Sequence, residues 1–243
     1  MSLELYVLDF GVYPRRVVIY LGEKGLLDSG MIKITPVDMQ SGAPGKPDGT
    51  TPILRLPDGS FIKQSIAILE YFEDICDNPR EEWQKKLASY SKQPNMRGHS
   101  AEDRARMRSI LGLADEAMAL FGFACHKGSR LFETLEPSSP DGAQMAMEWT
   151  AKNLKLIETY YDGDVRFGTG GGASTTGAST IADCVLFSLL QFSNNLYSRD
   201  LLEDPQLPAL KRFYDNFKER KSAAVPKDLY PAQFSQLASQ WIF

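Results

Sequence analysis

Apolar positions in this chain change period once, and the change divides it into two halves. Leu3, Glu4, Leu5, Tyr6, Val7 and Leu8 read as a strand running to Asp9, and Met31 to Val37 reads as a second. Between them Pro14 to Lys24 has helical spacing, with a proline in its first turn and Gly25 just past its end. Ile53, Leu54 and Leu56, the turn residues Pro57-Asp58-Gly59-Ser60, and then Phe61-Ile62 predict a tight antiparallel hairpin. Ser65 precedes Ile66, Ala67, Ile68, Leu69, Tyr71 and Phe72, an apolar helix ending near Cys76. A β-α-β unit followed by β-β-α predicts a mixed four-stranded sheet covered by helices, an α/β arrangement.

Residues 79–100 are polar, flanked by prolines and weakly periodic, so they read as a linker with at most one helical turn. Beyond it the strong patterns are helical. Met107, Ile110, Leu111, Ala114, Met118 and Phe121 form one stripe; Met147, Ala151, Leu154, Ile157 and Tyr161 form a second; Leu210, Phe213 and Phe217 form a third. The expected division is therefore 1–78, a linker over 79–100, and an all-α unit over 101–243. Thr180 followed by Asp183 is a capping box before an apolar helix reaching about Leu196, where loss of either side chain should destabilise by roughly 1 kcal/mol or more. The Gly- and Ser/Thr-rich run from Phe167 to Ser179 lacks a preceding strand and a phosphate-loop lysine, so it reads as a flexible interhelical loop.

At 243 residues the chain is long enough to bury a large core. A net charge of −4 gives no footprint for nucleic acid, and no apolar run has the length of a membrane span. The chain enters its first strand with no basic region and apolar leader ahead of it, so secretion is not signalled and a cytoplasmic location is the expectation. Cys76, Cys125 and Cys184 are odd in number and far apart, which argues against a disulfide framework or a metal cluster. Cys125 and His126 are adjacent, hence about 100° apart on a helix, and do not form a nucleophile and its base.

The chemistry is concentrated between Gly49 and Tyr71. Pro52 has no N–H and suits a strand start, either as an ordinary trans opening or as a cis bond after Thr51. The cis form would turn the Thr51 backbone outward, where an extended peptide could pair with it as an added strand. Ser65 is a natural N-cap, and a hydroxyl at a positive helix end also suits a carboxylate. Beside Gln64 and downstream of Thr51-Pro52, the anion seat is the favoured role.

The segment GTTPILRLPDGSFIKQSIAILEY, together with PRRVVIYLGEKG earlier, resembles the glutathione S-transferase superfamily, in the style of its fungal members. The resemblance implies a thioredoxin-like N-terminal domain, an all-helical C-terminal transferase domain, glutathione as co-substrate and a homodimer. It places a glutathione cradle on Thr51, Pro52, Gln64 and Ser65, with the sulfur held at the start of the first helix by Gly11, Val12 and Arg15. Gln40 and Lys46 lie where a contact to the glycine end would fall. Met107, Leu111, Asp115 and Met118 would face a second substrate, although core packing explains most of them.

Gly11 stands where some families carry a catalytic serine. A thiol is only a few per cent ionised at neutral pH, and lowering its pKa by about two units needs roughly 2.7 kcal/mol of differential stabilisation. Tyr13 is the hydroxyl nearest to that task, and the other role open to it is an aromatic wall. Arg15 and Arg16 lie near the positive end of the helix, where solvated side chains or an anion partner would relieve them. The expected function is a transferase that directs glutathione thiolate at an apolar electrophile by conjugation, ether cleavage or isomerisation. The alternative is a non-catalytic binder of glutathione or hydrophobic ligands, or a scaffold of the same fold.

Overall fold

The computed structural model describes residues 2–38, 42–167, 178–226 and 229–243. Gln40 and the glycine-rich run over 168–177 lie outside them. The first half contains β1 (Leu3–Val7), α1 (Val12–Lys24), β2 (Ile32–Pro36), β3 (Ile53–Arg55), β4 (Phe61–Lys63) and α2 (Ser65–Asp77). The sheet order is β2-β1-β3-β4, with β1 parallel to β2 and antiparallel to β3, and β3 antiparallel to β4. This is the mixed four-stranded sheet that the periods predict. The right-handed crossover rule then sends α1 across one face, where Val17, Ile19, Tyr20 and Leu21 are buried against Leu3, Leu5 and Leu54.

The second half holds α4 (Ala101–Gly128), α5 (Pro140–Tyr161), α6 (Ile181–Tyr197), α7 (Pro208–Phe217) and α8 (Ala232–Ala238). Helix α6 is buried nearly all round, from Ile181 to Leu190, and is the axis of this half. Its capping box is present: the Thr180 N–H donates to Asp183 Oδ2 at 2.6 Å and the Asp183 N–H donates to Thr180 Oγ1 at 3.2 Å. Asp183 is also wholly buried and accepts from the Tyr161 hydroxyl and from Arg166, so it does more than cap. Burial and this neighbouring carboxylate push the Tyr161 phenol well above its ordinary pKa. Among the described residues no helix is long and apolar enough to cross a membrane.

The segment expected to hold at most one helical turn forms α3 (Glu82–Ala88). Gln84 Oε1 accepts from the N–H groups of Arg80 and Glu81 at 2.7 and 3.1 Å, and Leu87 is the helix's one buried residue. The chain then lies against the first half through a buried polar knot. Lys24 Nζ donates to the Pro94 carbonyl at 2.8 Å and pairs with Glu73 Oε1 at 2.8 Å. Glu73 also accepts from the Tyr20 hydroxyl at 2.6 Å and from the Met96 N–H at 2.8 Å.

Candidate functional site

A cleft of about 490 Å³ opens where the N-terminal ends of α1 and α2 meet the loop before β3 and the middle of α4. Neither helix has an acid in its first turn or a side-chain cap on its amides, so both present uncompensated positive poles. The wall on the sheet side is Thr50, Thr51 and Pro52. The Thr51-Pro52 peptide is cis, and Thr51 Oγ1 accepts from the Leu8 N–H at 3.2 Å. Among the described residues no backbone group engages the Thr51 amide or carbonyl. This leaves a backbone segment, just ahead of the interior strand β3, to which an extended chain could add. Lys46 braces the loop by donating to the Gly49 carbonyl at 2.6 Å, and Lys63 does so through the Asp48 carbonyl at 2.6 Å.

Gln64 is the N-cap of α2 and Ser65 its first helical residue, so the helix begins one place earlier than the sequence pattern predicts. Gln64 has φ 76° and ψ 124°, outside the conformations open to most side chains and worth about 1–3 kcal/mol of strain. Such strain is found where the surroundings fix a residue for use. Ser65 is buried, and its Oγ accepts from Arg16 Nη1 at 3.4 Å.

Arg16 is the group that sequence reasoning undervalued. It is 0% exposed, far from the solvated side chain expected, yet it lines the cleft. Nη1 pairs with Asp115 Oδ1 at 2.5 Å, the Tyr13 ring lies 4.5 Å from the guanidinium carbon, and Nε and Nη2 have no hydrogen-bond partner among the described residues. Tyr13, Arg16 and Tyr20 follow one another at helical spacing of three and four, and that shared face of α1 was the available signal.

Arg15 turns the other way. Its Nε donates to Gln191 Oε1 at 2.8 Å and its Nη2 to the Ala223 and Ala224 carbonyls at 2.9 Å each, so it fastens α1 to the helical half and is absent from the cleft. Gly11 caps α1, but its N–H donates to the Leu8 carbonyl at 2.8 Å and is not free for a ligand. A Cβ there would lie 3.1 Å from that oxygen and 3.2 Å from Pro14 Cδ, so the position is tight as well as lacking a hydroxyl. Val12 is buried against Ala117, Met118 and Phe121.

Of the four residues assigned to a second substrate, Asp115 alone reaches the cleft. Met107, Leu111 and Met118 are buried in the core, because their stripe is the face by which α4 joins its neighbours. Tyr13 lines the cleft at 40% exposure, and no described residue engages its hydroxyl. Cys125 and Cys184 are buried and their thiols are pushed well above their ordinary pKa by that burial, while burial raises Cys76 to about 11. None of the three lines the cleft. His126 stacks on Phe132 and pairs with Glu136, away from Cys125.

The arrangement is an anion-accepting groove: the open backbone of Thr51, two helix N-termini and a buried guanidinium, countered by one half-exposed carboxylate. Residues 10–75 match the family model for the glutathione S-transferase N-terminal domain and residues 130–224 that for the C-terminal domain. Glutathione S-transferase 2 of Saccharomyces cerevisiae is 34% identical over 82 residues, a match spanning 31% of this chain and 34% of that protein's length. A glutathione S-transferase domain-containing protein of Marinobacter aquaeolei superposes with a TM-score of 0.66 at 24% identity, over 91% of this chain and 100% of the other. A glutathione S-transferase of Methylobacillus flagellatus, solved with glutathione bound, gives 0.65 at 19% identity over 95% and 100%. Yeast Gtt2 gives 0.63 at 20% identity over 90% and 98%. The chain belongs to the glutathione S-transferase superfamily.

Proposed function

We propose that the cleft binds glutathione and presents its thiol to an apolar electrophile. The observation that carries this reading is the corner formed by Thr51 and Ser65, a backbone segment ahead of β3 that no described backbone group engages beside the uncompensated N-terminal end of α2. Glutathione is a short peptide with two carboxylates, and it satisfies both features at once. In this reading its backbone pairs with Thr51 and a carboxylate meets Ser65 at the start of α2. Its thiol lies toward α1, where Tyr13 donates a hydrogen bond to the sulfur. Bound glutathione in the Methylobacillus neighbour and in a Pseudomonas fluorescens transferase supports the choice of ligand. Conjugation, ether cleavage and isomerisation share this first step, and a homodimer belongs to the same proposal.

Calorimetric titration with glutathione, wild type beside Ser65→Ala, tests it. Saturable binding weakened about tenfold or more in the variant, the loss of a charge-assisted hydrogen bond of ~1.5 kcal/mol or more, is the expected result. Absence of binding in the wild type would sink the reading.

A second reading, binding without turnover, rests on Gly11: it offers no hydroxyl, and its amide is engaged by Leu8. Glutathione binding with no conversion of an activated aryl chloride would favour it.

A further inference from the structure

Burying a guanidinium is expensive unless its N–H groups find acceptors. Among the described residues, two of the three nitrogens of Arg16 have no hydrogen-bond partner, although it is completely buried. Its one ion-pair partner, Asp115, belongs to the other half of the chain and is itself 42% exposed, so water screens part of its charge. The Tyr13 ring covers the guanidinium on the cleft side, and Ser65 contributes one weak contact at 3.4 Å. The charged groups facing the cleft are Arg16 from α1, Asp115 from α4 and Lys63 from β4. Lys63 is bound to the Asp48 carbonyl at the rim. On the α1 side, where no hydroxyl stands at position 11 and the Gly11 amide is engaged, Arg16 is the positive charge that remains.

We propose that Arg16 supplies the field that keeps a thiol bound in this cleft in its thiolate form, in place of a hydroxyl at position 11. The proposal rests on the reading that the cleft holds glutathione. The S–H bond breaks, the electron pair stays on sulfur and the proton passes to bulk water. Arg16 does not have to touch the sulfur, because a desolvated cation acts over several ångströms where water is scarce. It is therefore a positioning and electrostatic residue, acting partly through the Tyr13 ring that lies on it. Asp115 opposes it and sets the net field.

The test compares wild type, Arg16→Gln, Arg16→Lys and Asp115→Asn. Two quantities are read: the pH titration of thiolate absorbance in the glutathione complex, and calorimetric affinity for S-methylglutathione, which has no proton to lose. Arg16→Gln should raise the apparent pKa of the bound thiol by about one unit, a roughly tenfold loss of thiolate near neutrality. Its affinity for S-methylglutathione should stay within about threefold of wild type, a change of ~0.7 kcal/mol. Arg16→Lys should recover most of the thiolate. Asp115→Asn, whose side-chain oxygen can still accept from Arg16 Nη1, should move the thiol pKa the opposite way, downward, and it keeps the proposal testable if Arg16→Gln does not fold.

Titration curves that superpose for wild type, Asp115→Asn and, where it folds, Arg16→Gln would overturn the assignment. So would a parallel fall in S-methylglutathione affinity, which would make Arg16 an anchor for another part of the ligand. A wild type that binds neither compound refutes the cleft reading itself and takes this assignment with it. A wild type that binds both, with a thiol titrating as in free glutathione, refutes the role of Arg16 alone.

Discussion

Helix α1 carries two wholly buried cations, and they are treated in opposite ways. Lys24, at its C-terminal end, is closed on all sides: Glu73 and the Pro94 carbonyl accept from it, while Tyr20 and the Met96 amide complete Glu73. Arg16, two turns earlier, has one acid half in solvent and two nitrogens that hydrogen-bond to no described residue. Most buried polar groups that serve the fold alone are satisfied by it, because an unsatisfied one costs about 1–3 kcal/mol and a charged one more. Under the proposal above, the charge of Arg16 is left to act on a bound thiol, whereas that of Lys24 is consumed by the fold.

The comparison can be broken or sharpened by experiment. Glu73→Ala should have the largest effect, about 3–5 kcal/mol of lost stability, since it strands Lys24, Tyr20 and the Met96 amide together. At roughly 2–4 °C per kcal/mol for a chain of this size, the melting temperature should fall by about 10 °C. Asp183→Ala should follow at about 2–4 kcal/mol, above the roughly 1 kcal/mol of a cap alone, because Arg166 and Tyr161 lose their carboxylate too. Tyr13→Phe should lower turnover about tenfold, ~1.4 kcal/mol, with unchanged glutathione affinity. Full activity in that variant would transfer the role from the hydroxyl to the ring and the cation beneath it.

Arg16→Met should be nearly silent in thermal melting, within about 1 kcal/mol, because an apolar replacement removes an unsatisfied charge and leaves Asp115 in water. A loss comparable to that of Glu73→Ala would erase the distinction between the two cations. Smallest of all should be alkylation of the native thiols at mildly alkaline pH. Cys125 and Cys184 should remain unlabelled until the protein is unfolded, and Cys76 should react slowly.

Periodicity made the sheet and the long helices legible, since the turn residues at 57–60 and the stripes on α4 and α5 leave few alternatives. Helix α3 was not legible because only Leu87 is buried on it, so it has almost no apolar face to betray it. Arg15 and Arg16 illustrate a different limit. Adjacent helical residues point about 100° apart, and which of them meets the cleft depends on Gln191 and the 223–224 carbonyls, far along the chain. The stripe on α4 was visible too, but a stripe that packs a core and a stripe that lines a pocket have the same period. Only the docking of α4 against α6 and α8 assigns Met118 to the core and leaves Asp115 outside.

The bonding of Arg15 bears on how such a protein can be recombined. The start of α1, which forms one wall of the cleft, is moored to a glutamine and two carbonyls supplied by the last third of the chain. The two halves are therefore not interchangeable modules. A sheet half grafted onto a foreign helical half would keep its hairpin and its cis proline, yet it would arrive with a guanidinium whose berth had been left behind. Chimaeras made by exchanging everything after the linker should fail at the ligand cleft before they fail to fold.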